Sequence, residues 1–152
     1  MTFLAPISTN PTLVVNYIER YEKAISDIEP FFSQEGQKLI ELCQRLPQET
    51  FKFKRYLAEL KSIESLLELQ RAEFEGKKYK SLLETNQRAL AARDIQQYIK
   101  GDKDFVHKSE LILEISHIKQ QLEAVLEGLN IMHWQLNNQT KLVVASLEEY
   151  EL

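Results

Sequence analysis

The last third of the chain constrains its fold more than any other segment. Leu111, Ile115, Ile118, Leu122, Val125, Leu129, Met132, Leu136 and Val143 follow one another in alternating steps of four and three residues, with Gln139 filling the one polar slot. A helix with that repeat carries an apolar seam, which must pack along its length against another helix or another copy of the chain. These nine positions are therefore the expected oligomerisation surface. The mixture of Ile115 and Val125 with Leu129 and Leu136 selects no particular copy number. Gln139, flanked by Asn137 and Asn138, reads as a polar layer that sets register at a cost in stability.

Upstream, punctuation is sparse. Four glycines and four prolines in 152 residues leave long uninterrupted stretches, so helix dominates. Residues 1–10 read as an irregular arm, and Asn10 before Pro11 as a cap followed by proline at the first helical position. A first helix is expected to about Ile28, with Val14, Ile18, Tyr21, Ile25 and Ile28 inward and Pro30 as its stop. Ser33 then caps a short helix faced by Leu39, Leu42, Cys43 and Leu46, which Pro47 ends. A third helix starts at Glu49 or Thr50, with Phe53, Leu57, Leu60, Ile63, Leu67 and Phe74 on one face, and breaks at Gly76.

A shorter helix resumes near Tyr79 or Ser81 and runs through Ile95 and Ile99 to Lys100, where Gly101 suits a left-handed cap. Asp102 caps the final helix and Asp104 adds an acid to its first turn. Running from Lys103 to Leu147, that helix would be roughly 65 Å long, much longer than a compact domain of this size is wide. The expected fold is all-α, an elongated helical bundle with a long, coiled-coil-like C-terminal helix that mediates oligomerisation. Its parts are an N-terminal helical region over 1–101, containing a basic segment over 50–100, and the oligomerisation helix over 102–152, in one cooperative domain.

Several chemistries lack their residues. Cys43 is the single cysteine and lies between Leu42 and Leu46, which reads as a buried, inert thiol in a reducing compartment. Met1 to Thr9 have no charged and apolar leader pattern, and no apolar run reaches ~18 residues, so a cytoplasmic protein with no membrane segment is expected. His107, His117 and His133 are strung along the last helix without metal-ligand spacing, and His133, beside Met132, reads as an interface histidine. Asp102 and Asp104 have the spacing of a helix cap and first-turn acid, with no oxygen-rich loop around them. Phosphate-binding and nucleophile-elbow motifs are missing. The expectation is a protein that is not an enzyme and uses no cofactor or metal.

Charge is sorted along the chain. The net charge of -4 combines 11 basic and 7 acidic groups over 50–100 with 4 and 7 before them and 4 and 9 after. Lys52, Lys54, Arg55, Lys61 and Arg71 lie along the third helix, Lys77, Lys78 and Lys80 cluster by Gly76, and Arg88 and Arg93 follow. Phe51, Phe53, Tyr56, Phe74 and Tyr79 are interleaved with them. Cations along a rim neutralise phosphates and nearby aromatic faces stack on bases, so the first eight cations are the candidate nucleic-acid contacts. The plain alternative is a helix kept soluble by its charges. A segment of this charge binds weakly and fades with salt, whereas linked copies raise avidity without new contacts.

Three stretches carry a family resemblance: Phe74-Glu75-Gly76-Lys77, the run from Arg93 through Gly101 to Asp104, and Leu129 through His133 and Trp134 to Gln139. Together the region from Arg71 to Leu142 resembles UvsY, the recombination mediator family of T-even phages, over about half of the chain. The resemblance implies a helical, ring-forming homo-oligomer that binds single-stranded DNA, engages the phage single-strand-binding protein and helps load the phage recombinase. It places DNA binding on the basic helix, here Lys52, Lys54, Arg55, Lys61 and Arg71 with Lys77 and Lys78. The chain departs from the family in the roughly 50 residues before the matching region and in lacking the insertion after the Gly-Lys turn. Glu59, Glu64 and Glu68 also dilute the basic helix. The competing expectation is a helical structural or adaptor protein of phage assembly without nucleic-acid binding.

Overall fold

The structure, a computed structural model, describes residues 3–85 and 91–150, with side chains in the second segment described through Leu147. It is an all-α helical bundle with long-range helix packing. Five α-helices occur among the described residues: α1 (Leu4–Thr9), α2 (Val14–Ser33), α3 (Leu39–Thr85), α4 (Ala92–Gly101) and α5 (Lys103–Tyr150), with a single 3-10 turn at Pro11–Leu13 between the first two.

Several expected breaks are not breaks. The arm over 1–10 contains α1, closed where the Thr9 hydroxyl and the Asn10 N–H both donate to the Pro6 carbonyl at 2.9 Å. Asn10 does cap the following turn, its side-chain oxygen accepting from the Thr12 N–H at 3.3 Å. Pro30 lies inside α2, which continues to Ser33. Its carbonyl is satisfied by the Ser33 hydroxyl at 2.9 Å and the Gln37 side-chain amide at 3.3 Å. The helix ends instead at a left-handed turn, with Gln34 at φ 57 and Gly36 at φ 69.

Pro47 and Gly76 are likewise inside α3, so the two helices expected either side of Pro47 are one. Proline removes one ladder bond and glycine weakens a helix by about 1 kcal/mol relative to alanine, amounts that tertiary packing of the flanking apolar face exceeds. Gly101 ends α4 in ordinary helical conformation rather than the left-handed one. The turn comes from Asp102, extended at φ -67 and ψ 135, whose carboxylate accepts from the Asp104 N–H at 2.8 Å and so caps α5.

The chain divides into two compact units. The first comprises Met1–Ile18 and Leu60–Ile118, and buries Ile7, Val14, Ile18, Leu60, Ile63, Leu67, Ile95, Ile99, Ile112, Ile115 and Ile118. Within it the Gln70 side-chain amide donates to the Ser8 carbonyl at 3.2 Å. The second comprises Glu19–Glu59 and Lys119–Leu152, with Tyr21, Ala24, Ile28, Phe31, Leu42, Leu46, Phe53, Leu122, Val125, Leu129, Met132 and Leu136 inside. There Glu59 accepts from the Arg20 guanidinium at 2.9 Å and the Tyr21 hydroxyl at 3.0 Å, and Arg20 lies 4.9 Å from the centre of the Tyr56 ring.

The apolar seam of α5 is satisfied within one chain. Ile115, Ile118, Leu122, Val125, Leu129, Met132 and Leu136 are all buried in a single copy, while Leu111 is half-buried and Val143 is 50% exposed. Seven of the nine positions expected to form an oligomerisation surface therefore belong to the chain's own core. Beyond Leu136 the helix has no buried residue among those described, and Gln139, Leu142, Val143, Val144 and Leu147 are exposed. Cys43 is also exposed, because the inward stripe at the start of α3 is Leu42 and Leu46 and the thiol falls off it.

Candidate nucleic-acid interface

All eight candidate contacts stand on α3, and they fall into the two units. In the second unit, the Lys52 ammonium is 3.5 Å from Glu49 and 5.5 Å from the centre of the Phe53 ring. Arg55 is 3.9 Å from Glu59 and 5.8 Å from the Tyr56 ring. Lys54 is exposed and has no ion pair among the described residues.

In the first unit, Arg71 is committed to the fold. Its guanidinium donates to the Ser109 hydroxyl at 3.2 Å and stacks 5.7 Å from the Phe105 ring centre. Lys77 pairs with Glu73 at 2.8 Å, one helical turn away, and holds that carboxylate below its ordinary pKa. Lys78 reaches Asp102 at 3.4 Å. The Asp102 carboxyl is lowered first by the Asp104 N–H, with Lys78 adding to the effect. Lys61 and Lys80 are exposed without an ion pair among the described residues. Exposed single pairs such as Lys77 with Glu73 are weak and exchange readily for an anionic ligand. The eight therefore sort by availability: among the described residues Lys54, Lys61 and Lys80 have no ion pair, Lys52, Arg55, Lys77 and Lys78 are lightly held, and Arg71 is occupied.

The interleaved aromatics sort as well. Phe53 is buried. Tyr56 packs between Tyr21 and Phe53 at ring separations of 5.3 and 5.9 Å. Phe74 is half-buried with the Lys108 ammonium 5.8 Å from its centre, and Tyr79 is half-buried. Phe51 alone of the five presents an open face, at 69% exposure. Two further aromatics are about as open, Tyr98 on α4, near the end of the basic segment, and Trp134 on α5. Their signal in the sequence was positional, since Ile95 with Ile99 and Met132 with Leu136 define the inward faces and leave them outward. Arg93 is exposed on α4, and Arg88 lies outside the described residues.

His107, His117 and His133 are exposed in the single chain, His133 lying off the buried stripe of Met132 and Leu136, and its Nε2 is 3.2 Å from the Asn137 side-chain amide. Among the described residues no group of three His, Cys, Asp or Glu side chains is placed to hold a metal, and no helix is long and apolar enough to cross a membrane. No protein-family model, curated protein or solved structure is significantly similar to the chain.

Proposed function

We propose that this chain is a recombination mediator of the UvsY type, which binds single-stranded DNA along α3 and assists loading of a phage recombinase onto DNA coated by single-strand-binding protein. The observation that carries this reading is the set of unpaired, exposed ammonium groups of Lys54, Lys61 and Lys80 on one helix, joined by the lightly held Lys77 and Lys78. The resemblance of Arg71 to Leu142 to that family supplies the recombination context. The protein makes and breaks no bond; it acts in the host cell cytoplasm by holding the backbone in a path that loosens the coat protein and opens the bases to the recombinase.

Each copy brings few free cations, so useful affinity comes from several copies bound to one strand. In this reading the copies join through the exposed apolar end of α5, at Leu142, Val143, Val144 and Leu147, and a ring turns the separate basic helices into one track. The same apolar end also suits an adaptor that captures a partner helix without any nucleic acid, which is the second reading.

A fluorescence-anisotropy titration with a short single-stranded oligonucleotide across a salt series separates the two. Salt-sensitive binding is expected for the wild type. Changing Lys77, Lys78 and Lys80 together to alanine should weaken it and flatten the slope of log affinity against log salt by about 2, at ~0.7 per lost phosphate contact, with helicity unchanged. Absence of salt-sensitive binding by the wild type would favour the adaptor. Binding unaltered by the triple change would remove the site from these lysines.

A further inference from the structure

The second unit contains a groove that the basic helix alone does not explain. Its volume is about 540 Å³, and one wall is formed by Pro47, Thr50, Phe51 and Lys54 of α3, residues spaced to share one helical face. Leu126, Leu129, Asn130 and His133 form the facing wall on α5 with the same spacing. We propose that this groove receives one base of a single-stranded nucleic acid, stacked against Phe51, with the adjoining phosphate on Lys54. The proposal rests on the single-stranded DNA reading above and gives it a place for the bases.

Three observations favour this occupant. Phe51 is the open aromatic among the five interleaved with the candidate cations of α3, and base stacking on such a ring needs no particular sequence. The lining contains the free Lys54 ammonium and no carboxylate, so the groove is complementary to an anion beside an apolar plane. The opposite wall adds edge-reading groups. Asn130 offers both a donor and an acceptor. His133 contacts the Asn137 side-chain amide through Nε2, which leaves its Nδ1 to meet a base edge. The Thr50 hydroxyl is already spent on the Leu46 carbonyl at 2.8 Å, so recognition falls to Phe51, Lys54, Asn130 and His133.

The test compares two fluorescent oligonucleotides of equal length, oligothymidylate and a fully abasic strand, titrated with the full chain at several salt concentrations. The wild type is expected to prefer thymidylate by about tenfold, the scale of a single stacked base. Phe51→Ala should bring that ratio close to one while leaving abasic affinity and salt slope unchanged. Lys54→Ala should instead lower the slope on both strands by about 0.7. Circular dichroism checks folding of each variant, and the exposed Asn130→Ala, expected to lower thymidylate affinity a few-fold, repeats the test should Phe51→Ala not fold. Equal wild-type affinity for the two strands, or a ratio untouched by Phe51→Ala, overturns the groove while the mediator reading stands. Variants unchanged on both strands would reassign the groove to a protein helix. Failure of the wild type to bind either strand overturns the mediator reading itself.

Discussion

Replacing Leu122 by alanine tests whether the seam of α5 is the core of one chain or the contact between chains. Leu122 is fully buried, and its seam neighbours Ile118 and Val125 are 3% and 9% exposed. Truncation loses the transfer free energy of the removed carbons and leaves a cavity, together about 2 to 5 kcal/mol for a buried leucine. Leu129, by contrast, borders the open groove, where neighbours have room to relax. Leu122 therefore belongs near the middle of the range, about 3 kcal/mol, a large part of the 5 to 15 kcal/mol typical of a folded chain. In urea, with a slope of about 2 kcal/mol per molar, the midpoint followed by circular dichroism should fall by roughly 1.5 M. The fall should be the same across a hundredfold or so range of protein concentration. Val143→Ala, at a half-exposed position, should change stability by less than about 0.5 kcal/mol. A Leu122→Ala deficit that shrinks as concentration rises would mean that the residue is buried by another copy, and the reasoning would be refuted.

Three further sites give expectations for thermal and acid unfolding. A Cβ at Gly76 meets nothing within 4 Å, so Gly76→Ala should gain about 0.5 to 1 kcal/mol and raise Tm by about 1 to 4 °C. At Gly128 the same Cβ would lie 3.0 Å from the Phe32 ring, so Gly128→Ala should gain less than Gly76→Ala in parallel melts; an equal gain would show that the ring yields freely. The Asp102 carboxyl has a lowered folded-state pKa, from the Asp104 N–H first and Lys78 in support. Its charge therefore stabilises the fold above the ordinary carboxylate range, and that contribution is lost as pH falls through the lowered value. Asp102→Asn, which keeps a capping oxygen, should be less stable than the wild type at neutral pH and converge with it in acid; a gap that persists in acid would exclude the charge as its cause.

Periodicity made the inward faces readable, since Leu60, Ile63 and Leu67 on α3 and the positions from Ile115 to Leu136 on α5 are buried as their spacing requires. The same spacing is silent on what covers a face, because a helix of the same chain and a helix of another copy impose one pattern. Local breakers misled for a related reason. Pro30, Pro47 and Gly76 each oppose a helix by an amount set by the residue, and that amount is decided against packing contributed by segments far away in sequence. The Asn10 and Asp102 caps were legible because a cap is made within two residues. Charges were legible as positions but not as availability. Arg71 is taken up by Ser109 and Phe105 and Lys78 is lightly held by Asp102, partners that only the folded chain brings near.

Burial of the seam also alters how assembly and DNA binding are coupled in the proposed mediator. With the seam from Ile115 through Leu136 occupied by the chain's own core, the longest run of exposed apolar side chains on α5 among the described residues lies beyond Leu136, where Asn137, Asn138 and Gln139 precede Leu142, Val143, Val144 and Leu147. Four apolar side chains form a contact far smaller than a seam of nine, and a small contact between copies gives weak association. Weak association suits a protein that must leave the strand once the recombinase is in place. A bound strand raises the local concentration of copies, and the copies in turn raise the number of lysines on the strand, so each equilibrium draws on the other. Added salt would then weaken DNA binding twice, once at the phosphates and again as released copies separate, making the salt dependence steeper than the few free cations of one chain can account for.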